Sequence, residues 1–385
     1  MEKKWRKRLL KFVSLDTTNP PGRNYKKAVE MLAHWCREAG FVVERIKIPE
    51  KIAKDRFNLL CHRRNPNAKR LLVYSHIDVV PAEEDWQPFQ PKIVGGKIFG
   101  RGVADMKGSL IAFLAAAEKV KEQKLPWDLT LMITTDEETN QRKQIEYLLQ
   151  EKIDGVKNAV LLDLDSTFGY VSVGGLGHIS VRITVLGKSV HSGISHLGVN
   201  AVEKSILVLN ALIKLKKKVE RRVSQIPVNP QLKIKKMQAR LNIDVIKGGL
   251  KVNIVPDRCE IEVDRRLIPE EKIEEAKKEI EEALLPLKKE VNFKLDFVHA
   301  MKGYGKISPA AKKMAKIFQR TIGKGKLYGV MGSGDLLAMA EDFSWELVGV
   351  GVARDKESNI HGRKENAYLA DIETLTKILT HFLSD

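Results

Sequence analysis

The stretch LLVYSHIDVV, Leu71–Val80, joins the pattern of a buried strand to two polar side chains. Its apolar run is typical of a strand in a parallel sheet that is covered on both faces. Near the end of the run stand His76 and Asp78, and both side chains are costly to bury without partners. Side chains at positions i and i+2 of a strand share a face, so the two groups point the same way. They fit either a hydrogen-bonded pair or an imidazole that binds a metal and is oriented by the carboxylate.

The organisation of the chain around this stretch indicates two domains. The 385 residues exceed one typical hydrophobic core. Up to residue 176, strand-like and helix-like segments alternate, whereas from Gly177 alternating strands are joined to two long helices. We therefore expect an α/β fold with a mostly parallel sheet and helices on both of its faces in a catalytic domain, residues 1–176 and 295–385. Residues 177–294 are expected to form an inserted α+β domain.

The bulk composition argues against several classes of protein. Lys and Arg number 67 against 49 Asp and Glu, a formal charge of +18, but the excess lies in helix-like segments without interleaved aromatic residues. We expect no nucleic-acid partner and no membrane, because the longest apolar run, Leu110–Ala117, is too short to span a bilayer. The cysteines, Cys36, Cys61 and Cys259, show no C-x-x-C spacing, which favours a reducing cytoplasm and no thiolate metal site.

Further clusters of carboxylate and imidazole groups follow predicted strands or precede helices, where ligands gather in such sheets. They are Asp105 in GRGVADMKGS, Asp136, Glu137 and Glu138 in TLMITTDEETN, Asp163 and Asp165 in AVLLDLDST, and His361 in NIHGRKENAYL. Taken singly, each fits a helix cap or a solvated loop. Together, two imidazoles and three carboxylates, one of them shared, fit two divalent ions. Ligands of this type without thiolate favour zinc, with cobalt or manganese as alternatives. A remaining carboxylate is free to act as a base, as metal-assisted hydrolysis requires.

The segment SHIDVVPAEEDWQPFQPKIVGGKIFGRGVADMKG resembles the M20 metallopeptidase family, and the resemblance extends over nearly the whole chain. That family includes acetylornithine deacetylase, succinyl-diaminopimelate desuccinylase, aminoacylases and carboxypeptidases. The resemblance implies that Asp105 bridges two metals, that Asp78 orients His76, that Glu137 is the general base, and that the Asp105–Met106 peptide bond is cis. The metal ligands that it implies are His76, Asp105, Glu138, Asp165 and His361. Asp163 remains the alternative to Asp165, and HGRKEN departs from the commoner H-x-x-N-E.

Motifs outside the metal cluster resemble the same family. VHSGISHLGVNA resembles its H-S-S...G-V-N-A motif, which implies that His191 reaches the active site of a partner subunit and polarises the scissile carbonyl. KVNIVPDRCEIEVDRRLIP resembles a motif whose Asn253 and Arg266 equivalents contact a substrate carboxylate. GVMGSGDL resembles a glycine-rich substrate loop with Gly332 and Asp335. The inserted domain is accordingly expected to be a lid and to form a homodimer.

These features predict a zinc-dependent hydrolase that cleaves the amide bond of an N-acyl amino acid. The alternative is a metallo-carboxypeptidase or dipeptidase that acts on short peptides, and the sequence does not separate the two. A nucleic-acid-binding protein would show steeply salt-dependent binding. A catalytically inactive member of the family would lack a metal ligand or the base, and the sequence contains all of them.

Overall fold

A computed structural model of the chain describes residues 2–83, 86–139 and 142–385. The chain folds into two compact units. The first unit consists of Met1–Val173, Ile307–Leu327 and Asp342–Asp385, and the second of Gly174–Lys306 and Tyr328–Glu341. The second unit therefore interrupts the first in the sequence. The boundaries 1–176, 177–294 and 295–385 stay a prediction, and residue 294 lies within a strand of the second unit, Asn292–Met301.

The first unit is built around one large sheet. Its helices are α1 (Lys3–Val13), α2 (Tyr25–Glu38), α3 (Gly108–Lys119), α4 (Arg142–Glu151), α7 (Pro309–Ile322) and α9 (Leu369–Ser384). Its strands are β1 (Val42–Lys47), β2 (Phe57–Arg63), β3 (Lys69–His76), β4 (Lys92–Val94), β5 (Lys97–Phe99), β6 (Trp127–Thr134), β7 (Val160–Asp163), β17 (Glu346–Gly349), β18 (Asn366–Tyr368) and the start of β8 (Val171–Gly175). The strands of the large sheet follow the order β1-β2-β6-β3-β7-β17-β8.

The centre of this sheet is parallel and its margins are antiparallel. Strands β6, β3, β7 and β17 run parallel to one another, whereas β1, β2 and β8 join the sheet by antiparallel pairing. The central strands are buried along their length, as their near-continuous apolar sequence predicts. Their carboxyl ends consequently lie at one edge of the sheet.

Helix α3 contains the longest apolar run of the chain, and it lies in the core. All its residues from Gly108 to Ala117 are buried, so the run is explained by packing on all sides. Helix α9 buries Ile372, Leu375, Leu379 and Phe382 at helical spacing, as its sequence pattern predicts. In the described part of the chain, no helix combines the length and the apolar character that crossing a membrane requires.

The second unit is an α+β unit. Its strands are β9 (Gly177–Leu186), β10 (Val223–Pro227), β11 (Lys236–Gln238), β12 (Arg240–Gly248), β13 (Arg258–Leu267), β14 (Asn292–Met301), β15 (Tyr304–Gly305) and most of β16 (Leu327–Val330). Its helices are α5 (Ala201–Val219), α6 (Ile273–Leu284) and α8 (Asp335–Ala340). Four strands form an antiparallel sheet in the order β12-β13-β9-β14. Asn200 caps α5 by accepting hydrogen bonds from the N–H groups of Val202 and Glu203.

The predicted fold class is confirmed: a mixed α/β protein with a large central sheet, parallel at its core, and a second α+β unit inserted into the first. The predicted cis peptide bond between Asp105 and Met106 is also present. The function assigned to the second unit as lid and dimerisation domain stays a prediction.

Candidate active site

The candidate site of the first unit lies where its parallel strands end. His76 is the last residue of β3 and pairs with Thr134, the last residue of β6. Tyr74 of β3 pairs with Asp163, the last residue of β7. Because the three strands are adjacent and parallel, the segments that follow them leave the sheet at the same edge. This topology brings His76, the loop with Glu137 and Glu138, and the loop with Asp165 together.

Two groups of side chains at this edge share the carboxylate of Asp105. His76, Asp105 and Asp165 offer ligand atoms within 4.8 Å of one another, and so do Asp105, Glu138 and His361. The Nε2 atom of His76 lies 3.1 Å from Asp105 Oδ1, and that of His361 lies 3.1 Å from Asp105 Oδ2. The two oxygens of one carboxylate therefore face two different imidazoles, as expected for a carboxylate that bridges two cations.

The remaining distances complete the two groups. His76 Nε2 lies 3.9 Å from Asp165 Oδ2, and His361 Nε2 lies 3.2 Å from Glu138 Oε2. The side chain of His76 is fully buried, whereas that of His361 is 51% exposed. Among the described residues, Asp163 belongs to neither group. Its Oδ1 instead accepts a hydrogen bond from the backbone N–H of Asp165, at 3.0 Å.

Asp78 lies behind the two groups and contacts both of them. Its Oδ1 is 3.4 Å from Nδ1 of His76, the nitrogen that faces away from Asp105. The same carboxylate accepts hydrogen bonds from the backbone N–H groups of Glu137 and Glu138, at 3.1 and 3.0 Å. Asp78 thus fixes the orientation of the imidazole and also the position of the loop that carries the predicted base.

Asp136 anchors the other side of this loop. Both of its oxygens accept hydrogen bonds from Nε of Arg56, at 2.9 and 2.8 Å, and Gln144 and Tyr25 donate to it at 2.7 and 3.2 Å. The backbone of Asp136 has φ 65°, a left-handed conformation that costs residues other than glycine conformational energy. These contacts hold it there, so the adjacent Glu137 and Glu138 project from a fixed turn.

Asn19 connects Asp78 to Asp136. Its amide nitrogen lies 3.3 Å from Asp78 Oδ2, 3.1 Å from Asp136 Oδ1 and 2.9 Å from Thr139 Oγ1. The residue pattern alone assigns no role to Asn19 and no anchoring role to Asp136. The stretch Asn19-Pro20-Pro21 carries a sequence signal, since the residue before a proline is restricted to extended conformations.

The electrostatics of the site indicate an excess of negative charge. Hydrogen bonds to Asp105 and then to Glu138 raise the pKa of His361 to about 10. Burial raises the pKa of Glu137 to about 7; His76 opposes this shift, and the carboxylates of Asp105 and Glu138 reinforce it. Burial and then the charge of Asp105 raise the pKa of Asp165 well above its ordinary value. The carboxylates thus outnumber the imidazoles that compensate them, and divalent cations would restore the balance.

The donor set fits a pair of divalent ions. Each group supplies one imidazole nitrogen and two carboxylates, which are ligands that zinc, cobalt and manganese accept. The shared carboxylate of Asp105 would lie between the two ions. The cysteines of the chain, all free and buried, are not part of either group.

The predicted substrate residues His191, Asn253, Arg266 and Gly332 all lie in the second unit. The loop of His191 contacts that of Asn253, because the N–H of Ser192 donates to the Asn253 carbonyl at 3.0 Å. Arg266 donates to Asp264 at 2.8 Å and to Ser333, next to Gly332, at 2.9 Å. Gly332 accepts a hydrogen bond from the Leu176 N–H, and a Cβ added at this position would meet no other atom of the described residues within 4 Å.

A model of the peptidase family M20/M25/M40 matches residues 72–385. The chain belongs to this family. An acetylornithine deacetylase from Photorhabdus laumondii is 28% identical over 319 residues, which are 81% of this chain and 77% of that protein. The chain spans 61% to 67% of the lengths of other acetylornithine deacetylases that it matches.

Several solved structures share the fold of this chain. An M20 family metallo-carboxypeptidase from Sulfolobus solfataricus superposes with a TM-score of 0.76 at 18% identity, covering 100% of this chain and 99% of that one. A dinuclear metal binding peptidase of the M20 family from Bacillus subtilis gives a TM-score of 0.67 at 12% identity, with 99% of each chain covered. The predicted family and the prediction of an M20-like hydrolase are confirmed, whereas the metal and the substrate remain predictions.

Proposed function

We propose that the protein is a two-metal amidohydrolase that cleaves the amide bond of an N-acyl amino acid. The observation that carries this proposal is the pair of ligand groups that share Asp105, each with one imidazole, in a chain of the M20 family. In the proposed site His76, Asp105 and Asp165 hold one ion, and Asp105, Glu138 and His361 hold the other. Zinc is the ion that we propose, with cobalt or manganese as substitutes.

The proposed chemistry assigns the proton transfer to Glu137. Divalent ions bound at the site would supply Lewis acidity toward a carbonyl oxygen and lower the pKa of a water molecule. Glu137 accepts the proton of the attacking water and delivers it to the leaving amine. Its backbone N–H is held by Asp78 and the preceding residue by Arg56, so the carboxylate stays in place while it exchanges a proton.

The second unit is proposed to recognise the substrate. Arg266 donates to Asp264 through Nε and to Ser333 through one terminal nitrogen, so its other terminal nitrogen takes part in neither bond. An arginine can bind a carboxylate through two parallel hydrogen bonds. Asn253 and Gly332 are proposed to complete this contact. His191 is proposed to polarise the scissile carbonyl from a partner subunit, and its imidazole is exposed, as that role requires.

The substrate class rests on the named relatives. The acetylornithine deacetylase from Photorhabdus laumondii and a probable succinyl-diaminopimelate desuccinylase from Staphylococcus epidermidis, 28% identical over 259 residues, favour a small N-acyl amino acid. The alternative is a short peptide, which the whole-chain fold similarity to a metallo-carboxypeptidase equally permits. We further propose a cytoplasmic enzyme, in keeping with its free cysteines, without a nucleic-acid or membrane partner.

The test is a substrate panel run with metal analysis. The metal-free protein is reloaded with zinc, cobalt or manganese and assayed on N-acetyl and N-succinyl amino acids and on dipeptides. We expect metal-dependent release of the free amino acid from the acylated substrates. Glu137→Gln should retain the bound ions but lower kcat by about a thousandfold or more, since a general base supplies about 10²–10⁴ of the rate. Preferential cleavage of dipeptides would establish the alternative, and full activity of Glu137→Gln would remove its role.

A further inference from the structure

The two loops that carry Asp105 and His361 need support that the metal ligands themselves do not provide. His361 has φ 61°, and Asn359 and Lys364 in the same loop have φ 50° and 57°. Left-handed backbone costs a residue other than glycine about 1 kcal/mol or more, so surrounding contacts must hold the loop in this shape. The side chain of His361 is half exposed and cannot be held by burial alone.

Glu365 ends this loop and binds the segment that carries Asp105. Its Oε2 accepts hydrogen bonds from the N–H of Gly102, at 3.0 Å, and from Arg101, at 2.9 Å. Its Oε1 accepts from the N–H groups of Ala104, at 2.9 Å, and Asp105, at 3.3 Å. The side chain is 1% exposed. One buried carboxylate therefore satisfies three backbone N–H groups around the shared ligand, where an apolar side chain would leave them unpaired.

Arg101 connects the same carboxylate to the backbone of His361. One of its terminal nitrogens donates to Glu365, and the other donates to the carbonyl of His361 at 3.1 Å and to that of Pro81 at 3.4 Å. Its side chain is 2% exposed. The ion pair thus contacts both loops at once, and its opposite charges leave the charge of the ligand cluster unchanged.

A buried ion pair is weak evidence for a role in stability. The desolvation of two charges offsets most of their attraction, and apolar replacements of similar volume are often neutral or stabilising. Apolar side chains could not replace the pair Arg101–Glu365 in one respect. The pair donates to the backbone carbonyl of His361 and accepts from the backbone N–H of Asp105. Glu365 stands at the glutamate position of H-x-x-N-E, from which HGRKEN departs at Lys364, but the sequence pattern alone assigns it no contact with the Asp105 segment.

We propose that Arg101 and Glu365 are positioning residues that hold Asp105 and His361 at the separation that a metal pair requires. The inference rests on the proposed function, because it assumes that Asp105 and His361 are ligands. Glu365 acts on the shared ligand and therefore on both ions. Arg101 additionally binds the carbonyl of His361. It therefore affects the ion of the Asp105, Glu138 and His361 group more strongly than the other ion.

The chain offers a matched control for this pair. Arg70 and Asp128 of the first unit also form an ion pair, at 2.6 Å, with side chains 9% and 10% exposed. Arg70 lies six residues before His76 on β3, which places it roughly 20 Å from the imidazole at about 3.3 Å per residue. A substitution in this pair removes a buried charge without touching the loops of the candidate site.

The experiment compares Glu365→Gln, Arg101→Lys and Asp128→Asn with the wild-type protein. Zinc is removed with a chelator, and its affinity and stoichiometry are measured by competition with a chromogenic chelator and by elemental analysis. Thermal unfolding of the metal-free proteins gives their stability. We expect Glu365→Gln to weaken both binding steps by about tenfold or more, the usual effect of residues that orient metal ligands. Arg101→Lys should weaken one step more than the other, and Asp128→Asn neither, even where its unfolding temperature falls.

Different outcomes test the positioning role and the proposed function separately. Wild-type affinity for both ions in Glu365→Gln and Arg101→Lys overturns the positioning role, however much their stability falls. Should Glu365→Gln fail to fold, Arg101→Lys decides alone, because it keeps the charge and loses only the planar fork. A wild-type protein that binds none of zinc, cobalt and manganese overturns the proposed function itself, which distinguishes that failure from failure of the inference.

Discussion

Asp163 ends strand β7 and Asp165 follows it two residues later, and their carboxylates have different partners. Asp165 reaches the group of His76 and Asp105, whereas Asp163 accepts a hydrogen bond from the backbone of Asp165. The sequence alone leaves both as candidates, because side chains at i and i+2 of an extended segment share a face. The turn after β7 separates them, and its geometry cannot be inferred from residue types.

Substitution of these two residues tests the assignment. We expect Asp165→Ala to lose one of the two bound ions and at least about a hundredfold in activity, because it deletes a proposed ligand. Asp163→Asn keeps an oxygen that can accept the Asp165 N–H and should retain both ions, with a stability loss of about 1 kcal/mol at most. Elemental analysis and kcat/KM measure these effects. Loss of an ion from Asp163→Asn alone would reverse the assignment.

At the scale of the element, the loop after β6 owes its shape to side chains that lie far away in the sequence. Asp78 and Asn19 contact it across 59 and 117 residues, respectively. The side-chain amide of Asn19 contacts both Asp78 and Asp136. Within the described residues its amide donates to none of the predicted ligands, so its effect on catalysis has to pass through the loop.

Asn19→Ala should therefore lower turnover without removing metal. The variant leaves oxygens of Asp78 and Asp136 with one donor fewer, which costs about 1–3 kcal/mol of stability, and we expect kcat to fall by about tenfold or more as Glu137 loses its fixed position. Asn65→Ala is the control, since the side-chain amide of Asn65 also donates a hydrogen bond within the first unit, to the backbone carbonyl of Leu125 at 2.7 Å. Equal losses of kcat in both variants would assign Asn19 to stability alone.

The sequence predicts the elements whose pattern is local and misses those that depend on distant partners. The central strands and α3 follow from apolar runs, and their shared edge follows from the parallel pairing that such runs favour. The hairpin of β4 and β5 turns at Gly95 and Gly96, both with positive φ, but it is completed by β18 near the end of the chain. Helix α1 buries Trp5, Leu9 and Phe12 at helical spacing, a signal that its many basic residues obscure.

At the scale of the whole molecule, apolar side chains are exposed mostly on the second unit. Ile206 and Ile213 lie two turns apart on one face of α5 and are 53% and 44% exposed. Leu250 and Val252 are fully exposed in the loop after β12. Exposed apolar side chains that form a contiguous patch are typical of interaction surfaces, and we propose that these belong to the homodimer interface of the second unit.

Charged substitutions on α5 test the proposed homodimer. We expect the double variant Ile206→Glu and Ile213→Glu to elute as a monomer, whereas the wild-type protein elutes as a dimer, because buried unpaired carboxylates strongly oppose association. Val42→Glu is the control, since Val42 of the first unit is also exposed, at 71%. Light scattering coupled to size exclusion gives the masses. A monomeric wild-type protein would contradict the dimer and leave His191 without a partner site.

The proposed role of His191 in a partner subunit makes a prediction that only a dimer can meet. His191→Ala and Glu137→Gln should each be inactive alone, because one lacks the group that polarises the carbonyl and the other lacks the base. In a mixed dimer, the site with an intact Glu137 receives His191 from the other subunit. Unfolding and refolding the two variants together should therefore restore about a quarter of wild-type activity, since half of the dimers are mixed and each has one complete site. If His191 instead acts within its own subunit, every site in the mixture lacks one group and no activity returns.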